Sequence, residues 1–240
     1  MDAFVSHGSG RTPSSPARPG MTLDEPQLLS RHEDGAELAM ALWRFGSPLL
    51  ALSSAPYGGG WGERHWILAA QVAHGYHRTD PADHLAGLAR DLGLDGPGIG
   101  MLTAVDVRLV TASREDGVAA AATVGLSDPC WAAAADAATA VPATGSPGIA
   151  GTVNIVAVLS RRLSGAALVN AVMTVTEAKS QALWEAGFAG TGTPSDAVAV
   201  LCAPSGPAEA FGGPRSRYGS RLARAVHRAV LDGSRRAGTR

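Results

Sequence analysis

A lysine stands where an amphipathic helix should be apolar. The run opened by Ser164, reaching Glu185 and stopped by Gly187, places Leu168, Val172, Val175, Ala182 and Leu183 at three- and four-residue steps. At about 100° per residue Lys179 falls in the middle of that stripe. Its charge needs a partner. One reading is a snorkelling stem or a buried ion pair with a carboxylate from a neighbouring strand; the other is a site lysine that binds substrate or orients a base. Glu177 falls opposite the stripe, where periodicity favours a solvated residue, and Thr176 lies at its border. Asp106 and Asp196 each head an apolar strand, just after loops carrying Thr103 and Thr193. Carboxylates so placed act as general base or acid, or cap turns through backbone N–H groups. Asn154 sits inside the apolar run Gly151 to Leu159 and needs partners for its amide, either as a structural bridge or as a recognition group.

Three glycine loops are candidates for close approach of backbone to a ligand: Gly58-Gly59-Gly60, Thr191-Gly192-Thr193 and Gly212-Gly213-Pro214. Taken singly, each is more often just a turn. The phosphate-cradling G-x-x-x-x-G-K-[ST] pattern and the G-x-S-x-G nucleophile elbow are both missing, which disfavours nucleotide triphosphates and a serine triad. His74 and His77 lack the H-E-x-x-H or paired-cysteine context of zinc, so no metal is expected. Gly151-Thr152 has the form of a self-cleavage point that frees an N-terminal threonine nucleophile, although the dipeptide is a common one.

The elements that must hold these residues follow from pattern. Pro48 to Ala55 and Arg64 to Val72 predict strands flanking the first glycine loop. Asp80 as cap, Pro81 at the first position and Asp83 in the first turn predict a helix with Leu85, Leu88 and Leu92 inward, ended by Gly93. Residues 106–114 and 118–126 predict an antiparallel hairpin turning at Asp116-Gly117. Residues 127–148, rich in Ala, Pro and Gly and carrying Trp131, predict a surface loop or a short helix. Gly151 to Leu159 and Asp196 to Cys202 predict buried strands. The last helix follows Gly212-Gly213-Pro214, buries Leu222, Val226 and Val230, and turns Arg221, Arg224 and Arg228 outward. Hairpins mixed with strand-to-helix steps predict an α/β protein of the α+β type, a mixed or antiparallel sheet covered by helices in one domain.

Composition bounds the partners. A chain of 240 residues with 45% hydrophobic content can build one large core. Twenty basic against 21 acidic side chains leave a net charge of -1, so a global field for nucleic acid or anionic membranes is lacking and a small molecule is the expected ligand. No apolar run approaches the ~20 residues of a spanning helix. Cys130 and Cys202 are isolated, which fits a reducing, cytoplasmic compartment. Residues 1–22 read as a disordered tail, with Met21 an alternative start, 23–234 as the domain, and 235–240 as a flexible C-terminal tail.

A set of short motifs in fixed order gives a further reading. Ser53-Ser54-Ala55 precedes Gly58-Gly59-Gly60; then come Tyr76-His77-Arg78-Thr79-Asp80-Pro81, Gly100-Met101-Leu102-Thr103-Ala104-Val105-Asp106-Val107 and Thr123-Val124-Gly125-Leu126. Gly151-Thr152-Val153-Asn154-Ile155, Thr174-Val175-Thr176-Glu177-Ala178-Lys179, Thr191-Gly192-Thr193 ahead of Asp196-Ala197-Val198, and Gly212-Gly213-Pro214 complete it. Over residues 30–230 the chain resembles the adenosylcobinamide amidohydrolases. The resemblance implies hydrolysis of the amide joining aminopropanol to the corrin ring, giving adenosylcobyric acid and aminopropanol, in corrinoid salvage toward coenzyme B12. It implies no cofactor of the protein's own, the cobalt corrinoid being the substrate. It also brings the turn carrying Thr176, Glu177 and Lys179 to the site. One carboxylate among Asp106, Glu177 and Asp196 would activate water, with Lys179 or loop N–H groups stabilising the oxyanion. Gly59, Gly60, Gly213, Thr103, Thr176, Thr193 and Asn154 would hold the corrin periphery. Two positions depart from the family pattern: Ala69-Ala70 replaces an expected Asn, removing a polar group near the glycine loop, and Ser195 replaces Thr but keeps the hydroxyl. Alternatives are a corrinoid-binding protein without catalysis, and an amidase of another substrate using a self-processed threonine. A homo-oligomer is left open.

Overall fold

The computed structural model describes residues 23–127, 129–134 and 151–237. The expected tail over 1–22, Met21, the end of the chain after 237, and residues 128 and 135–148 of the 127–148 segment lie outside the described residues. Among the described residues eight strands form one mixed sheet, in the order β4-β3-β2-β8-β7-β6-β5 with β1 added on β2. They are β1 Gln27–Glu33, β2 Ala36–Ser53, β3 Gly60–Gln71, β4 Gly98–Thr103, β5 Thr111–Glu115, β6 Val118–Val124, β7 Val153–Leu159 and β8 Ala197–Cys202. Among the described residues three α-helices accompany them: α1 Pro81–Asp91, α2 Gly165–Glu185 and α3 Arg217–Ala237.

The sheet doubles over on itself because β2 bends. Its register against β3 shifts between Arg44 and Leu49; residues before the shift pair with β1 and β3, and residues after it pair with β3 and β8. Alternation then sorts the side chains into layers. In β7, Val153, Ile155, Ala157 and Leu159 pack under α2 and α3, whereas Val156 and Val158 face Ile67 and Ala69 of β3 and Met101 of β4 in a core between the two sheet halves. On the far side, Trp66, Leu68 and Ala70 of β3 meet Leu85 and Ala89 of α1. The result is helix, sheet, sheet, helix, in a single domain.

Most sequence readings hold at this level. Ser164 caps α2 by accepting from Ala167 N at 3.1 Å, Gly93 takes φ +59° after α1, and Gly117 turns the β5–β6 hairpin at φ +73°. Others need correction. Asp80 does not cap α1 with its side chain, because its carboxylate is held by Arg78 at 2.6 and 2.9 Å. Residues 106–110 are not strand: Val107–Leu109 is a 3₁₀ turn, capped by Asp106, whose Oδ1 accepts from Arg108 N at 3.0 Å. The first hairpin, β1 with the front half of β2, and strand β4 are elements that the sequence pattern does not announce. The last helix runs on to Ala237, so the expected tail from 235 begins as helix. No helix among the described residues is long and apolar enough to cross a membrane.

Candidate active site

A cavity of about 410 Å³ opens at one end of the layers, where β2, β3 and β4 finish and β7 and β8 begin. Among the described residues its polar wall is Ser54, Tyr76, Thr103, Thr152, Asn154 and Ser195, and no carboxylate, lysine or arginine lines it. Thr103 ends β4 with its Oγ1 accepting from Val105 N at 3.1 Å, which turns the chain away along the rim. Asn154 faces inward from β7. Its Nδ2 donates to Leu102 O at 2.9 Å, tying the two sheet halves together, and that carbonyl fixes which way the amide points. The opposite atom, Oδ1, is buried without a partner. Thr152 Oγ1 lies 2.6 Å from Ser195 Oγ, which also donates to Gly151 O at 3.3 Å.

Behind this wall, on the helix side, Lys179 Nζ pairs with Asp196 Oδ2. Of the two readings of Lys179, the ion pair with a carboxylate at a neighbouring strand is the one realised. Asp196 Oδ1 accepts from Thr193 Oγ1 at 2.6 Å and from Val153 N at 2.9 Å, so both oxygens are engaged. Gly192 is required here, since a Cβ on it would run into both the Asp196 carboxylate and the Lys179 ammonium. The cluster couples α2, the loop before β8 and the first peptide of β7, the residue after Thr152.

Other expected site residues lie elsewhere. Thr176 and Glu177 are exposed on α2, and Thr176 Oγ1 bonds Val172 O of its own helix at 3.1 Å. Asp106, paired with Arg108 at 2.9 Å, lines a second cavity of about 500 Å³ with Gln71, His74 and Gly151; the two cavities share Ala104. Gly59 and Gly60 belong to a turn pinned by Arg64, which donates to Gly58 O at 2.9 Å and Gly59 O at 3.2 Å, and neither lines either of these two cavities. Gly212 and Gly213 sit on the seam between α2 and α3, where Thr174 Oγ1 donates to Gly212 O at 3.0 Å. Ala69 and Ala70 are buried at the opposite end of β3 from the glycine loop, so that departure leaves the loop untouched.

Sequence reasoning missed one constellation. Tyr76, on the cavity wall, lies 3.0 Å through its hydroxyl from His84 Nδ1, and His84 Nε2 lies 3.0 Å from Glu33 Oε1. A proton on Nε2 facing the carboxylate leaves Nδ1 to accept the Tyr76 hydroxyl, and the phenol oxygen presents its lone pairs to the cavity. Burial pushes the Tyr76 phenol up, which keeps it neutral near physiological pH. The available signal was His84, four residues before Leu88 on the inward face of α1; Glu33, across the chain, offered none. Ser54 and Ser195 stood out only as members of the motif pattern, Ser195 as a hydroxyl in place of Thr, and nothing local in the sequence assigned them to the cavity wall.

Fold and site together define an α/β protein with an uncharged, hydroxyl- and amide-lined cavity between its sheet halves. The family profile of adenosylcobinamide amidohydrolase matches residues 25–240. The adenosylcobinamide amidohydrolase of Methanosarcina mazei is 31% identical over 184 residues, 73% of this chain and 85% of that protein. The protein of the same name from Halobacterium salinarum is 39% identical over 132 residues, 54% of this chain and 55% of its own length. A solved L-aminopeptidase D-Ala-esterase/amidase from Ochrobactrum anthropi superposes with TM-score 0.37 at 12% identity, covering 87% of this chain and 82% of that one. The chain belongs to the adenosylcobinamide amidohydrolase family, enzymes that act on amide bonds. The order of motifs in the sequence had pointed to the same family.

Proposed function

We propose that this chain hydrolyses the amide between the corrin ring and aminopropanol in adenosylcobinamide, releasing adenosylcobyric acid and aminopropanol, and that it serves corrinoid salvage in the cytoplasm. The observation that carries the reading is the wall of the first cavity: among the described residues, hydroxyls and a carboxamide, with no charged side chain. A secondary amide is neutral, with one donor and one acceptor to satisfy, and a neutral polar wall recognises it without desolvating an ion. The volume of about 410 Å³ admits the arm and leaves the macrocycle outside. The neighbouring cavity, lined by Gln71, His74 and Asp106, would take the peripheral amides of the ring.

Within this reading Asn154 Oδ1 accepts the N–H of the arm, and Tyr76, Ser54 and Thr103 complete the wall. Asp196 and Lys179 act through structure, fixing the start of β7 from behind. Asp106 stays a candidate contact for the ring; the exposed position of Thr176 and Glu177 lends them no support. Chromatography of adenosylcobinamide incubated with the purified protein tests the reaction. Aminopropanol and adenosylcobyric acid are expected in equal amounts. A corrinoid that is bound but recovered unchanged would assign a binding protein instead.

A further inference from the structure

We propose that the chain cuts its own backbone between Gly151 and Thr152, and that Thr152, then an N-terminal residue, is the nucleophile of the amide hydrolysis. The second half rests on the reaction proposed above; the first does not. Thr152 immediately precedes β7, which is held between β6 and β8, and it is only 5% exposed on the wall of the first cavity. Thr152 O accepts from Gly125 N at 2.9 Å and Val153 N donates to Asp196 Oδ1 at 2.9 Å, which fixes the peptide after the threonine, while on the other side Gly151 O accepts from Ser195 Oγ at 3.3 Å. Gly151 is packed so tightly that a Cβ on it would lie 2.6 Å from Gly125 O and 2.9 Å from Ser127 N. Only glycine fits, and it presents its carbonyl next to the threonine hydroxyl.

Ser195 joins the two reacting groups. Its hydroxyl is 2.6 Å from the Thr152 oxygen and donates to the Gly151 carbonyl oxygen at 3.3 Å. One group thus touches both the atom that would attack and the carbonyl that would be polarised. In the cleavage step Thr152 Oγ bonds to the Gly151 carbonyl carbon, the bond from that carbon to Thr152 N breaks, and the hydroxyl proton passes to the departing nitrogen. Water then hydrolyses the ester, leaving a Gly151 carboxylate and a Thr152 that carries both a free hydroxyl and a free α-amine. An α-amine has a pKa of roughly 8, so near neutral pH part of it is unprotonated and can take the proton of its own hydroxyl.

Asn154 supplies the independent observation that points to a ligand. It is 4% exposed, faces the same cavity two residues along β7, and its Oδ1 has no partner. A substrate amide N–H donated to Oδ1 would sit beside Thr152. Thr152 Oγ would then attack the acyl carbon on the corrin side, the aminopropanol nitrogen would leave with the proton, and water would release the acid and regenerate the hydroxyl.

Intact-mass measurement on the purified full chain under denaturing conditions tests this, with wild type, Thr152→Ala and Thr152→Ser purified identically and their adenosylcobinamide turnover recorded. Two fragments are expected from wild type and Thr152→Ser, one ending at Gly151 and one beginning at residue 152. Thr152→Ala is expected to stay uncut, with an unchanged circular dichroism spectrum, and to lose turnover on the order of 10³-fold or more. Ser195→Ala should slow the cut by about 10²-fold. An uncut wild-type chain that turns over adenosylcobinamide overturns the inference and leaves the proposed reaction standing. A chain that cuts itself yet leaves adenosylcobinamide untouched upholds self-cleavage and sinks the proposed reaction.

Discussion

Lys179 shows what one misplaced residue reveals. A cation on an apolar stripe demands a partner, and the partner is Asp196, whose second oxygen also receives Thr193 and the Val153 N–H. The two side chains are 9% and 12% exposed, so breaking the pair leaves an uncompensated charge in poor solvent. Lys179→Met should therefore destabilise the fold by about 3 kcal/mol in urea titration. The double variant Lys179→Met, Asp196→Asn should regain part of that loss, because the amide oxygen of Asn still accepts from Thr193 and Val153 while removing the stranded charge. If the double variant is no more stable than the single one, the charge is not what the pair neutralises. The lysine was legible because periodicity makes a misfit visible. Its partner was legible only as one of two carboxylates at strand heads, since nothing local distinguishes Asp196, which reaches back to β7 and α2, from Asp106, which closes on Arg108 two residues away. Glu177 followed the solvated face that its angle indicated, and its motif neighbourhood pointed the other way.

Among elements, the legible ones are those whose period is undisturbed. The helices α2 and α3 and the strands β6, β7 and β8 carry their patterns over whole lengths, and β7 and β8 are buried on both faces as their continuous apolar runs required. Strand β4 hid behind Gly98 and Gly100. Those glycines weaken the pattern, and both are needed because Trp66 and Leu85 lie directly over the backbone there. Strand β2 hid because its bend at Gly46-Ser47-Pro48 cuts one long element into pieces that read separately. Helix α3 is docked on the hairpin through Glu115 of β5, held by Arg224 at 3.0 Å and by Arg228. Hydrogen bonds from Arg224 and then Arg228 pull the Glu115 carboxyl from 4.5 down to about 2. Its contribution is therefore full above about pH 4.5 and fades as pH falls toward 2. Chemical denaturation of wild type and Glu115→Gln across that window should show a small stability gap closing with acid, and salt should narrow it at pH 7 because the groups are at the surface. A gap independent of pH would mean that Glu115 acts through packing.

Across the whole molecule, the fold brings some of the distant motifs to one place and sends others away. Thr103, Thr152, Asn154 and Ser195 meet at the end of the sheet sandwich, backed by Thr193, Asp196 and Lys179, whereas Gly59 and Gly60 serve a turn and Gly213 serves a helix seam. The motif order identified the family because each motif is constrained, but constraint does not say whether a residue touches substrate or packs backbone on backbone. The doubling of the sheet is what separates the two cases, and it depends on one bend in β2 that no local pattern announces. The central claim is that the uncharged cavity between the sheet halves is where the amide arm is cut. The most direct measurement is aminopropanol release from adenosylcobinamide by Ala73→Trp, which fills that cavity from the loop after β3 without altering a polar group of the wall. Release should fall by about 10²-fold or more while the chain stays folded, as a blocked site loses its positioned substrate. A rate equal to wild type would place the reaction elsewhere.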